Sequence, residues 1–372
     1  MIPSGTILIG GFGDDPFLFM APDGATTYPP PPSAPTAGSG LQALCRLSTG
    51  DIASIGGGIP GCIVGVWTAS DLTVRSEYPG LRQNGAAIAA DANGFWYTAT
   101  FWVNPDPAHF DQQLFQFARL NADSVEVATW DVAPSTIPDG DYTWGEVGHA
   151  MAVSENGQTL YLWATPNAFT AGDERLKSRI LVFSLAGADS DVGRLTPDFS
   201  STPGFGSLLL VPDGSGDLLV AFAHLNDPYG VSPGAIRRYR PNGTLVWTAG
   251  APAGASATNI SWLGLALGAP GDPHFLAWAY DGNTTNTSGA RYCWFSYATG
   301  APDESRNFEP EAGSFQVDSQ FVILAVPVGD SGPPPTRPGC VSTFPIDPNA
   351  SPDPAGCVSA FAVDPELSRR VP

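Results

Sequence analysis

Charge is what this chain has least of. Asp, Glu, Lys and Arg make up only 14% of its 372 residues, and 16 basic residues face 36 acidic ones, a formal net charge of −20. So acidic a surface repels phosphate backbones and anionic headgroups, which sets nucleic acid and membrane surfaces aside as partners. No apolar run reaches about 18 residues, so no membrane insertion is expected. The opening Met1-Ile2-Pro3 has no basic segment, and TILIGG is too short for the apolar core of a secretory signal. Histidines number four and cysteines five, with no CxxC, HxH or HExxH among them. That argues against a zinc knuckle, a thioredoxin-like pair or a metalloprotease helix. GxSxG and P-loop motifs are also missing, and GGFG and GGG read as turn glycines. Neither a cofactor nor a metal is expected, and no catalytic constellation stands out. No long stretch shows a 3.6-residue apolar period, so an almost helix-free fold is expected.

What is abundant is turn and strand. The chain holds 43 Gly and 37 Pro, yet 43% of its residues are hydrophobic, too apolar for disorder and suited to many short strands. One figure recurs. In NGAAIAADANGFWYTATF, residues 84–101, an apolar run meets Asn93-Gly94 and continues into an aromatic run. Asn-Gly between two apolar runs is a strong hairpin signal. The figure returns as AMAVSENGQTLYLWAT from Ala150, LLLVPDGSGDLLVAFAH from Leu208 and LGLALGAPGDPHFLAWAY from Leu263, and more bluntly as FQVDSQFVILAVPV from Phe315. Each hairpin is followed by a second pair, such as LFQFARLNADSVEVATWDV or IRRYRPNGTLVWTAG.

Four strands per unit, a to d, make one antiparallel sheet, and repeats of this length and content are the mark of propeller blades. The b strands begin near Phe95, Leu160, Leu218, His274 and Phe321, a spacing of roughly 60 residues or a little less. The expectation is therefore an all-β, single-domain β-propeller over residues 1–372 with seven four-stranded antiparallel blades, six being the alternative. Residues 81–347 hold five regular blades; residues 1–80 and 348–372 supply the first and closing blades, so that both termini close the ring. Two stretches, around Cys45 and Cys62, look like duplicated c strands and have no obvious slot.

Runs such as RYRPNGTLVWTAG resemble the blade repeats of quinoprotein-like and NHL-like propellers: an aromatic strand, a polar-Gly turn, and a strand ending near Trp. The resemblance implies a fold and a binding face, and by itself no chemistry.

Cys62, Cys340 and Cys357 share a frame, PGCIVGVW, PGCVSTF and AGCVSAF, while Cys45 and Cys293 do not. Two readings stand: a small buried residue at equivalent strand positions, or a disulfide joining N- and C-terminal segments. Four N-x-S/T sequons, at Asn242, Asn259, Asn283 and Asn286, read as chance in a Ser- and Thr-rich chain.

The a-to-b and c-to-d turns are short, and the b-to-c connections are long: Trp102 to Gln112, Pro166 to Arg179, Leu225 to Gly234, Asp281 to Gly289 and Gly329 to Gly339, with Tyr28 to Gly40 in the same slot. Strand direction puts all of them, and the long d-to-a segment Ala133 to Gly148, on one face. Rigid scaffolds display functional loops in this way. The candidate binding residues there are Trp102, His109, Phe110, Trp144, Phe169, Asp227, Tyr229 and Tyr280. Aromatic faces with directed hydrogen-bonding groups suit protein or glycan recognition, and aromatics packing onto blade tops are the plain alternative. For glycoside hydrolysis two carboxylates must converge; Glu146, Asp173, Glu174 and Asp227 are available but unpaired in sequence. SENGQTLY is similar to a sialidase Asp-box but one residue short, with no arginine triad evident. PDGSGD, residues 212–217, could in part ligate Ca²⁺ but reads better as a hairpin turn.

Three functions follow. The first is a non-enzymatic binding or structural propeller, a virion component such as a minor tail or capsid-surface protein of a tailed phage, outside the cell without a signal peptide. It would contact other structural subunits and a host surface protein or glycan. The second is a carbohydrate-active hydrolase or lyase using the same face. The third is a scaffold for protein partners in the cytoplasm.

Overall fold

The computed structural model describes residues 6–10, 17–21, 27–28, 41–56, 65–68, 73–78, 84–103, 113–132, 147–164, 179–185, 192–195, 206–222, 234–255, 260–268, 271–281, 290–308 and 325–328. All lie in a compact unit, Met1–Pro334; the second unit, Pro335–Pro372, lies outside the described residues. Among the described residues there is no helix. There are instead six antiparallel sheets, five of four strands and one of three.

In chain order the strands are β1 (Thr6–Gly10), β2 (Phe17–Met20), β3 (Thr27–Tyr28), β4 (Leu41–Arg46), β5 (Ile52–Gly56), β6 (Gly65–Trp67) and β7 (Val74–Glu77). Then come β8 (Asn84–Ala90), β9 (Trp96–Val103), β10 (Gln113–Leu120), β11 (Glu126–Val132), β12 (Val147–Val153), β13 (Thr159–Ala164), β14 (Arg179–Ser184) and β15 (Val192–Leu195). The rest are β16 (Gly206–Leu210), β17 (Leu218–Phe222), β18 (Ala235–Tyr239), β19 (Leu245–Thr248), β20 (Ile260–Leu267), β21 (His274–Asp281), β22 (Ala290–Ser296) and β23 (Ala325–Val328). Consecutive groups of four form the sheets β4–β7, β8–β11, β12–β15 and β16–β19; β20–β22 form the three-stranded sheet, and β23-β1-β2-β3 the last.

The first strand of each sheet abuts the first strand of the next, from β4 through β8, β12, β16 and β20 to β23, which returns to β4. Six radial sheets around a common axis are a β-propeller, on the strength of strand order alone. Alternate residues of the inner strands meet opposite neighbours, so both faces of the sheets are buried there, while the outermost strands β7 and β19 stay largely exposed. On β9, Trp96 packs toward β4–β7 with Val66, Ile88 and Leu120, while Tyr97 and Ala99 pack toward β12–β15 with Leu160, Leu162 and Phe183.

The expectation of seven blades is wrong, and the reason is specific. The ring closes through β23, which pairs antiparallel with β1: Leu8 faces Val326, and Ile9 faces Ala325. By sequence pattern the stretch around β23 looks like the hairpin of a fifth regular blade, separate from the N-terminal strands. In the structure they belong to one sheet. Residues 348–372, expected to finish the ring, lie outside the described residues. The two stretches without a slot also resolve. LCRLSTGDIASIG forms β4 and β5, and the run after Cys62 supplies β6 and β7, together one complete sheet.

The turns follow from their first residues. Asp91 Oδ1 accepts from the Asn93 and Phe95 amides at 2.8 and 3.0 Å, and Asn121 Oδ1 from Asp123 and Val125 at 3.0 and 2.9 Å. Such side chains mimic a backbone turn and fix where the strand reverses. Asn242 does the same for Thr244 at 3.0 Å, which gives that sequon a structural use.

Gly157 shows how tightly one turn meets the next sheet. Its φ is +68°, and a Cβ there would lie 2.6 Å from both Asp91 Oδ2 and the Tyr97 hydroxyl, which hydrogen-bond each other at 3.0 Å. Gly214 has a similar φ of +75° but open space around it. Gly157→Ala is therefore expected to cost about 2 kcal/mol or more, by adding a clash to a strained φ. Gly214→Ala should cost about 1 kcal/mol, for the φ alone. Urea unfolding of the two variants side by side checks this; equal losses would show that the contact between sheets does not matter.

Candidate functional face

Strand direction sorts the connections into two sets. On one face, the a-to-b and c-to-d turns are five to seven residues long, as from Ala90 to Trp96. On the other, the b-to-c and d-to-a connections run from six to fourteen, as from Ala164 to Arg179 and from Val132 to Val147. The Pro-rich stretch after Tyr28 joins β3 to β4, so it is a connection between sheets rather than a b-to-c loop, but it emerges on the same long-connection face.

Of the eight candidate residues, two are strand residues. Trp102 is the penultimate residue of β9, paired with Leu114, and Tyr280 is the penultimate residue of β21, between Ser261 and Ala290. Both stand at the long-connection end of a second strand, one step inside the position expected. His109, Phe110, Trp144, Phe169, Asp227 and Tyr229 fall in the long connections and outside the described residues, as do Glu146, Asp173 and Glu174. Of the histidines, His149 lies within β12 at that end, and His274 opens β21 on the short-turn face. Cys45 is a free thiol that burial pushes far up, and Cys293 is fully buried; Cys62, Cys340 and Cys357 lie outside the described residues.

The short-turn face is where charge gathers in the described structure. Arg238, on β18, is its hub. Its Nε donates to Asp217 Oδ2 at 2.7 Å, its Nη2 to Asp213 Oδ2 at 2.8 Å and Ser215 Oγ at 3.2 Å, and its Nη1 to the Tyr297 carbonyl of the next sheet at 2.8 Å. The Trp247 indole donates to that same carbonyl at 3.2 Å. The PDGSGD turn therefore turns both its outer carboxylates to a guanidinium, which already fills the place a cation would take. Burial pushes Asp213 up, but hydrogen bonds from Ser215 and Arg238, with the Arg238 charge, outweigh it and hold the carboxyl below its ordinary range. A second lock repeats the design. Arg306 lies 3.7 Å over the Trp294 ring and pairs with Asp272 at 2.9 Å, and Asp272 also meets His274 Nδ1 at 3.1 Å. Here too burial acts upward on Asp272, and the Arg306 and His274 contacts win, leaving it depressed. Among the described residues no three His, Cys, Asp or Glu side chains gather as a metal site. These ionic groups lock turns to one another; sequence reasoning missed Arg238, because AIRRY reads as an ordinary charged strand.

No protein-family model and no curated protein matches this chain. Among solved structures it is similar to a chain of a nidogen–laminin complex, with a TM-score of 0.49 at 10% identity over 87% of this chain and 98% of that one. It is also similar to a putative TolB from Agrobacterium tumefaciens, with a TM-score of 0.44 at 11% identity over 84% and 92%. The propeller assignment rests on the sheet order given above. The quinoprotein-like or NHL-like subtype finds no support in these likenesses.

Proposed function

We propose that this protein is a non-enzymatic binding or scaffolding propeller that takes its partner on the long-connection face. The observation that carries the reading is the asymmetry between faces. One is closed by short turns locked side chain to side chain; the other holds every b-to-c and d-to-a connection longer than seven residues, the passage from β22 to β23 alone leading from the first face to the second among connections of described strands. A rigid ring with all its sequence freedom on one side is built to present that side. The narrower reading, a virion component meeting other structural subunits or a host surface, rests on composition: strong net acidity and low charge density.

The test uses the partner recovered by native co-purification. Trp144→Ala and Tyr229→Ala should each weaken binding by about 2 kcal/mol, close to thirtyfold, because large aromatics dominate interfaces. Melting should be unchanged. Glu155→Ala, exposed on the short-turn face, is the control and should bind normally. Binding lost with Glu155→Ala but kept with both aromatic variants would move the site to the other face. A hydrolytic activity that vanishes with Glu146→Gln or Asp227→Asn would make the protein an enzyme instead.

A further inference from the structure

In three of the seams between neighbouring sheets the polar atom of an inward aromatic ring is paired. The Trp96 indole donates to the Asn121 carbonyl at 2.8 Å, the Tyr97 hydroxyl to Asp91 Oδ2 at 3.0 Å, and the Trp247 indole to the Tyr297 carbonyl at 3.2 Å. The first of these seams also buries Thr98 Oγ1 without a partner. The face of β20–β22 that turns away from β16–β19 is different. Phe275, Ala277, Ala279, Cys293 and Phe295 pack with the β16–β19 side. Strand alternation therefore sends Leu276, Trp278, Tyr292 and Trp294 the other way, toward β23, which abuts β20 and β21. Trp278 pairs with Tyr292 across the ladder, and Leu276 with Trp294. All four side chains are buried. Three of them carry a hydrogen-bonding atom, and Trp278 Nε1, the Tyr292 hydroxyl and Trp294 Nε1 all lack a partner.

These rings are held by their own sheet and its outer segment. Phe308 stacks on Tyr292 with centroids 4.9 Å apart, and Arg306 lies over Trp294. Docking of the facing sheet thus takes three donors out of water and offers them no acceptor, which costs free energy that a dry or paired seam does not lose. The facing sheet is also weakly tied. Among the described sheets it alone joins strands distant in sequence. β23 meets β1 only from Thr6 to Ile9, and β2 meets β3 at two positions, whereas β9 follows β10 from Trp96 to Val103. Within β23, Pro327 stands opposite Ile7 and has no N–H to give to any ladder.

From the row of orphaned donors and the short ladders facing it, we infer that the closing sheet is a latch. The strands β23, β1, β2 and β3 part from β20–β22 and melt as one group, while the sheets from β8 to β19 stay folded. Water then reaches Trp278, Tyr292 and Trp294, and their recovered hydration offsets part of the lost packing. Such sub-global openings follow contiguous structural units and begin where local stability is least. The ring therefore has a built-in place to open, next to its first and last described strands.

Native-state hydrogen exchange of the full chain, read by mass spectrometry at urea concentrations below the unfolding midpoint, tests this. Amides of β1, β2 and β23 should exchange together, at least about tenfold faster than those of β8–β19. Tyr292→Phe keeps a ring on Phe308 and removes one orphaned hydroxyl, so it should slow closing-sheet exchange by about tenfold. Tyr97→Phe is the opposite case, since it takes a donor from the buried Asp91 carboxylate. It should speed exchange of β8–β15 by about tenfold and leave the closing sheet at its wild-type rate, because the latch opens without disturbing that pair. Closing-sheet amides no faster than those of β8–β19 overturn the inference. So does a closing-sheet rate that rises with Tyr97→Phe, which would mean that this sheet opens only when the whole ring unfolds. A closing sheet that exchanges at the wild-type rate or faster in Tyr292→Phe also overturns it, since the orphaned donors would then not be what loosens the seam.

Discussion

Replacing Arg238 with methionine is expected to lower the unfolding free energy by about 3–5 kcal/mol, the cost of leaving a buried charge without its partner. Arg238 and Asp217 are 10% and 8% exposed at their side chains, so the orphaned Asp217 carboxylate has little access to water. The Tyr297 carbonyl of the next sheet loses a donor at the same time. Methionine keeps most of the stem volume, so the loss reports on polar contacts rather than on a cavity. The double variant Arg238→Met with Asp217→Asn should recover part of the loss, because it removes the unpaired charge. If it is no more stable than the single variant, the ion pair is not the cause. Acid gives a second signature through Asp213. Its folded carboxyl titrates below the ordinary 3.8, so its pairing adds stability above that value and loses it as pH falls through the depressed folded value. The gap between wild type and Arg238→Met should therefore stay constant from neutral pH down to about 4 and narrow below it. A gap that widens in acid would contradict the pairing.

How far the fold was legible depends on how local each signal is. The sheets β8–β11, β12–β15, β16–β19 and β20–β22 each begin with a hairpin whose turn carries its own chemistry, Asp91 to Gly94 or Asp213 to Gly216, so residues near in sequence announce them. The closing sheet does not announce itself, because Leu8 and Val326 are partners that no turn connects. One extra hairpin and one extra blade came from that single long-range pairing. Equivalence between blades fails in a similar way. Trp96 and Trp163 look matched by eye, but the ladders pair Trp96 with Ala90 and Leu160 with Val153, the last residues of β8 and β12, so Leu160 is the counterpart of Trp96 and Ala99 that of Trp163. The turn of the second hairpin holds one more residue after its glycine, so neither the glycines nor the tryptophans carry the register. The candidate site was legible as a face, since loop length and strand direction fix it, and Trp102 and Tyr280 miss by one position because a strand end has no sequence mark of its own. The bulges at Gln42 and His149 were not legible at all, since an extra residue in a ladder changes the pairing and not the composition.

Trp96→Ala is the substitution expected to damage the ring most through packing. Trp96 is fully buried between the sheets β4–β7 and β8–β11, against Leu47, Ala53, Val66, Ile88, Ala118 and Leu120. Its indole Nε1 donates to the Asn121 carbonyl at 2.8 Å, and its ring meets Tyr78 edge-on with centroids 6.3 Å apart. Truncation removes the largest side chain of that interface and leaves a void that rigid sheets on both sides cannot close. It also takes one of two donors from the Asn121 carbonyl, leaving it the Ser124 amide at 3.0 Å, at the turn where Asn121 Oδ1 already holds two amides. The loss for a buried Trp→Ala is about 3–5 kcal/mol, and sheets fixed in a closed ring should place this site in the upper part of that range. Trp96→Phe separates the two contributions: it refills much of the volume but not the hydrogen bond, and should cost about half as much. Equilibrium denaturation by urea, followed by far-ultraviolet circular dichroism, measures both. Near-equal losses for Phe and Ala would assign the effect to the hydrogen bond. An alanine variant with a wild-type midpoint would mean that the first two complete sheets do not depend on each other for stability, and the closed ring would lose its physical basis.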